Sequence, residues 1–164
     1  MAPVLSIALQ PHVEMEAKSS VNPSVICLLK AESFDPAVYY FAMAVVVDDD
    51  NEVVDGSLHG MCTVQGQQLQ LPTGPVVVFN FSDMSICYNG TCKLRLDAYE
   101  VSNADAKGAT LVSQAFSKPV NVHPTPEKDN NGVIHLLSLP EWIPTEEERA
   151  LIAMLHNHGV EVAL

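Results

Sequence analysis

Apolar and polar residues alternate with a period of two along most of the 164-residue chain. β-Branched and aromatic residues gather in short runs, and this pattern predicts strands. The runs are Val4 to Leu9, Val25 to Ala31, Ala37 to Val47, Val53 to Val64, Val76 to Phe81, Ser85 to Cys87, Thr91 to Ala98, Thr110 to Phe116 and Pro119 to Val122. In the clearest of them Cys92, Leu94, Leu96 and Ala98 share one face while Lys93, Arg95 and Asp97 share the other. That alternation predicts a strand with one wet side. Turn signals separate the runs at Asn22-Pro23, Asp48 to Asn51, Asp55-Gly56, Pro72 to Pro75, Asn89-Gly90 and Lys107-Gly108. Many short strands without intervening helices predict an antiparallel β-sandwich.

The C-terminal part follows a different rule. Thr145-Glu-Glu-Glu148 has the form of a capping box, with its acids at the helix's positive end. It predicts one helix from about Glu146 to His158, with Ala150, Leu151, Met154 and Leu155 on its apolar side and Gly159 ending it. Val160 to Leu164 reads as a last short strand. His123 to Pro140, rich in Pro, Asn and Asp, reads as a long irregular connection. No internal repeat is visible, so one domain over residues 1–164 is expected.

Composition narrows the function. With 48% apolar residues the chain can build a real core, but 8 Lys and Arg face 20 Asp and Glu, a net charge of −12. A protein that gains affinity by neutralising phosphates needs a basic face, so autonomous nucleic-acid binding and anionic membranes are disfavoured. No apolar run reaches the roughly 18 residues of a membrane-spanning helix. The N-terminus reads as a first strand rather than a signal peptide, so the expected location is intracellular, in the nucleus, the cytoplasm or both. Four cysteines without a CxxC pair make neither a disulfide framework nor a zinc site.

The order of these segments resembles the velvet domain of fungal developmental regulators. Ile7-Ala-Leu-Gln-Pro11 resembles the family's opening strand, and Asn22-Pro23 followed by Val25 to Lys30 its second. Pro75-Val-Val-Val-Phe-Asn-Phe-Ser-Asp-Met-Ser85 resembles its aromatic-rich strand and the turn that follows. Gly90-Thr-Cys-Lys-Leu-Arg-Leu96 and Val112-Ser-Gln-Ala-Phe-Ser-Lys-Pro-Val-Asn-Val122 resemble the next two strands, and the final helix with Gly159-Val160 the close of the domain. The resemblance implies an immunoglobulin-like sandwich similar to Rel-type transcription factors, homo- or heterodimers, and DNA contact through basic loops. Four segments depart from the last property. The loop where the family is rich in Arg and Lys reads His12-Val-Glu-Met-Glu-Ala-Lys-Ser-Ser20. Cys87 stands where the family has Arg, Pro126-Glu-Lys-Asp129 replaces a basic segment, and Glu161-Val-Ala-Leu164 replaces a basic closing strand.

Lys18, Lys93 and Arg95 are the residual candidates for phosphate contact, although Asp97 shares a strand face with the last two. If Asn89-Gly90 forms a two-residue hairpin, Cys87 and Cys92 face each other at a disulfide-compatible spacing, but an intracellular compartment disfavours the bond. The sequons at Asn80 and Asn89 carry no weight without secretion. His156 and His158 diverge around the helix and suit its C-terminal dipole, and the acidic run from Asp48 to Glu52 lacks calcium-loop spacing. No metal or cofactor is expected.

No catalytic motif is present, although a site assembled by the fold from residues such as His59, Glu14 and Asp97 would be invisible here. The leading expectation is an acidic velvet-like regulator of transcription that acts by dimerisation or protein association, with weak or absent DNA binding of its own. One alternative is a velvet scaffold recruited as an enzyme or small-ligand binder, its catalytic residues unknown. Another is a DNA-binding transcription factor only as a heterodimer with a basic velvet partner.

Overall fold

The computed structural model describes residues 2–103 and 108–164, and the turn expected at Lys107 lies outside them. Two sheets make a sandwich. The first runs β1 (Val4–Leu9), β3 (Val25–Lys30), β8 (Gly74–Phe81) and β7 (Gln67–Leu71), in that order. The second runs β2 (Glu14–Glu16), β12 (Val120–His123), β10 (Gly90–Ser102), β4 (Val38–Val47) and β6 (Thr63–Gln65). β11 (Ala109–Phe116) pairs with the second half of β10, beyond the stretch that pairs with β12. β5 (Leu58–Gly60) and β9 (Met84–Ile86) form a small separate ribbon. The pairs are antiparallel except β2 with β12, which is parallel.

Period-two alternation builds the core. Val77, Phe79 and Phe81 of β8 and Val25, Cys27 and Leu29 of β3 meet Ala42, Ala44 and Val46 of β4 and Cys92, Leu94, Leu96 and Ala98 of β10. β3 is buried on both faces, which is why Val25-Ile-Cys-Leu-Leu29 reads as an unbroken apolar run. Its outer residues Ile26 and Leu28 lie under helix α1 (Glu146–Asn157), whose Leu155 is fully buried there beside Val160. Burying one such leucine is worth about 1.5–3 kcal/mol. Thr145 caps the helix: its hydroxyl accepts the Glu148 N–H at 3.1 Å, and the Glu148 carboxylate accepts the Thr145 N–H at 3.0 Å.

Several expectations need correction. The run from Val53 to Val64 is not one strand. Gly56 and Gly60 take positive φ, and the chain bends between a bridge at Val53, β5 and β6. Gly60 has no substitute, because a Cβ there would sit 2.3 Å from the Asp83 carbonyl oxygen. β2 and β7 were not expected: the first is three residues long, and the second reads Gln-Gln-Leu-Gln-Leu. Val160 to Leu164 forms no strand and is held instead by a Ser24 N–H to Ala163 O bond and by Ala163 N–H to the Ser24 hydroxyl. Asn89-Gly90 is not a hairpin loop, because β9 pairs with β5 while β10 begins in the second sheet. The Cys87 N–H accordingly donates to Ser57, and all four cysteines are free thiols. No helix among the described residues is long and apolar enough to cross a membrane.

Candidate functional site

The three candidate cations fall in two places. Lys18 follows β2 in a left-handed conformation (φ 67°), fixed by its N–H bond to the Ile86 carbonyl at 2.9 Å. It lines a hollow of about 280 Å³ together with Cys87, Tyr88, Asn89, Thr125 and Glu127. Three of the four segments that depart from the velvet pattern therefore converge here: the loop after Pro11, Cys87 and the stretch from Pro126. The charged side chains lining the hollow are Lys18 and Glu127, one of each sign.

Lys93 and Arg95 stand on the outer face of β10, where Arg95 is paired with a carboxylate and Lys93 keeps its charge beside an aromatic ring. The Lys93 ammonium lies 5.7 Å from the centre of the Phe116 ring. Arg95 binds the Asp97 carboxylate through Nε at 3.1 Å and Nη2 at 3.0 Å, and the Gln114 amide donates to the same carboxylate at 2.8 Å. Asp97 is only 4% exposed, so the expected wet face is dry at its centre. The physical reason lies in β11. It pairs along this half of β10 and brings Gln114 opposite Asp97.

The fold assembles a different polar cluster from residues far apart in the chain. Parallel pairing of β2 with β12 sets Asn121 opposite Glu14. The Asn121 amide donates to Glu14 at 3.0 Å, and a His123 ring nitrogen lies 2.6 Å from the other carboxylate oxygen. Thr91 in turn donates to the Asn121 side-chain oxygen at 2.7 Å. The hydrogen bond from His123, then that from Asn121, then the charge of the imidazole, hold the Glu14 carboxyl below its ordinary 4.5. His59, exposed on β5, belongs to neither this cluster nor that of Asp97. Beside Glu14 lies an open basin of about 440 Å³, lined also by His12, Glu16 and Trp142. Two of its polar side chains are engaged with protein: both Glu14 oxygens are bonded, and a His12 ring nitrogen meets the Pro140 carbonyl. Among the described residues no group of three His, Cys, Asp or Glu side chains could hold a metal ion.

The described residues form a β-sandwich with one C-terminal helix, in which Arg95 pairs with Asp97 and His123 with Glu14. Residues 9–142 match the family model described as Velvet factor, and the chain belongs to that family. Membership supports a velvet-type regulatory protein. No curated protein matches the chain. Among solved structures it is similar to a cohesin module from a Clostridium perfringens ATCC13124 family 33 glycoside hydrolase, at 11% identity and a TM-score of 0.32. That likeness covers 76% of this chain and 98% of the other.

Proposed function

We propose that this velvet protein regulates by associating with protein chains, its own copy or another velvet chain, and that alone it binds DNA weakly or not at all. The single observation that carries the reading is the state of its cations. Lys18 shares its hollow with Glu127, Lys93 lies against Phe116, and Arg95 is committed to Asp97. Set in a chain of net charge −12, these residues offer phosphate no concentrated positive surface. The role suits a nuclear or cytoplasmic regulator that determines which velvet dimers form, or that occupies a basic partner's DNA surface. The basin beside Glu14 lends a recruited enzyme little support, since the Glu14 carboxylate is taken up by His123 and Asn121 and the His12 ring by the Pro140 carbonyl.

A duplex-DNA titration of the isolated chain at physiological salt tests this. The expected result is a dissociation constant of about 10⁻⁴ M or weaker, the range of non-specific contact. Nanomolar binding by the chain alone would overturn it. Binding that appears only when a basic velvet chain is added would show that DNA reaches this protein through its partner.

A further inference from the structure

Trp142, the chain's single tryptophan, is the aromatic wall of the basin beside β2. It packs against the apolar cluster under helix α1 but is only partly buried, and it lines the basin with what stays exposed. Met15, Leu139 and Leu164 add apolar surface. Three glutamates line the same basin. Glu14 is committed to His123 and Asn121, whereas among the described residues no cation pairs with Glu16 or Glu141. Lys118 lines a neighbouring hollow that shares Trp142 and Glu141, and it does not line this one.

We propose that this basin binds an arginine side chain presented by a segment of a basic protein. The inference goes beyond association with velvet chains and does not depend on it. An indole face beside free carboxylates attracts a cation, and a planar guanidinium stacks on the ring while its donors reach the acids. The aliphatic stem of such a side chain suits the apolar surface of Met15, Leu139 and Leu164.

The other occupants fit less well. Phosphate and other anions meet three glutamates here. A wholly apolar ligand would strip water from Glu16 and Glu141 and give nothing back. A metal ion is a poor match, since among the described residues no group of three ligating side chains could hold one. The volume, about 440 Å³, lies in the range of pockets that take drug-sized molecules, so there is room for the arginine with its chain neighbours. The net charge of −12 draws basic chains to the whole surface without choosing among its acids. Trp142 beside unpaired carboxylates makes the choice.

Trp142 also reports on its own site. The test is its fluorescence in the full chain during titration with a capped peptide of alternating arginine and leucine, beside one of alternating glutamate and leucine. The arginine peptide should shift the emission saturably, and the glutamate peptide should not. Glu16→Gln combined with Glu141→Gln should weaken binding at least about fivefold. Glu32→Gln combined with Glu100→Gln removes the same two charges elsewhere. Glu32 lies beyond the far end of β3 from Asn22, and Glu100 near the far end of β10 from the stretch that pairs with β12. Both are on the order of 20 Å from the basin along their strands, past the screening length of about 8 Å, so this pair should change binding less than about twofold. Circular dichroism checks that each variant is folded. If the Glu16 and Glu141 variant unfolds, acrylamide quenching of wild-type Trp142 decides instead, and should fall as the arginine peptide is added. Equal weakening by the two variant pairs, no saturable shift, an equal response to the glutamate peptide, or unchanged acrylamide access overturns the basin. None of these results bears on dimerisation or DNA, whose failure shows in sedimentation and in the duplex titration.

Discussion

Arg95 and Asp97 sit two residues apart on one strand and form a two-point ion pair on the outer face of the second sheet, with the aspartate 4% exposed. The pair explains how an apolar sheet face tolerates a carboxylate, and why one of the chain's few cations is unavailable to phosphate. Removing one partner of a buried pair leaves the other uncompensated, which is costlier than the pair itself is stabilising.

Arg95→Ala should therefore lower the unfolding free energy by about 2–3 kcal/mol, below the full cost of a fully buried pair because Gln114 still donates to Asp97 and Arg95 is partly solvated. Lys93→Ala should cost under about 1 kcal/mol. Urea denaturation of the two variants checks the order. Equal losses would mean the ion pair is not holding the strand face.

The capping box gives a smaller, local expectation. Thr145→Ala removes the acceptor of the Glu148 N–H and should cost about 1 kcal/mol. Thermal unfolding should shift accordingly, and Thr145→Ser should be nearly neutral. An unchanged midpoint in Thr145→Ala would mean the first turn is held by other contacts.

Acid should loosen the β2–β12 contact. The Glu14 carboxyl is depressed below 4.5 in the folded chain by its bonds from His123 and Asn121. A depressed folded value contributes stability that is complete above the unfolded value and is lost as pH falls through the folded one. Asp129, held below 3.8 by bonds from the Val133 amide, His135 and the Asn131 amide, acts in the same direction. Stability should thus decline as pH drops below about 4.5, more shallowly in Glu14→Gln. A Glu14→Gln variant with the wild-type acid slope would contradict the assignment.

The thiols should divide by burial. Burial pushes the Cys92 thiol up to about 11, with Asp49 adding to the shift, and raises Cys27 further. Both lie fully inside the sandwich core, whereas Cys62 and Cys87 are half-buried. Titration of the native protein with a disulfide reagent at neutral pH should modify Cys62 and Cys87 and spare the other two until unfolding. Fast modification of Cys92 would mean the sheet opens there.

What the sequence disclosed follows the physics of each element. β1, β4 and the helix are legible because each buries a regular stripe or carries a cap whose chemistry is local, and β3 and β8 because each is a nearly continuous apolar run. β7 was not, since Gln67, Gln68 and Gln70 mask its pairing with β8, and β2 was too short to show a period. Two departures have one root. Strand partners are chosen by the whole sheet, so the hairpin that Asn89-Gly90 allows locally does not form, and its flanking strands pair elsewhere. For the same reason Asp97 was read as wet, because nothing local shows that Gln114 arrives opposite it. The cluster of Glu14, Asn121 and His123 joins residues 107 and 109 positions apart, a separation at which one sequence carries no signal.

The most direct test of an associating velvet chain without DNA affinity of its own is sedimentation of the protein mixed with labelled duplex, each followed separately across a salt series. The account predicts a protein boundary at the mass of a dimer and DNA sedimenting as free duplex. Added salt should leave that dimer intact or tighten it, because screening relieves repulsion between two chains of −12 each. Protein that carries the duplex with it at physiological salt, or a dimer that falls apart as salt rises, would contradict the account.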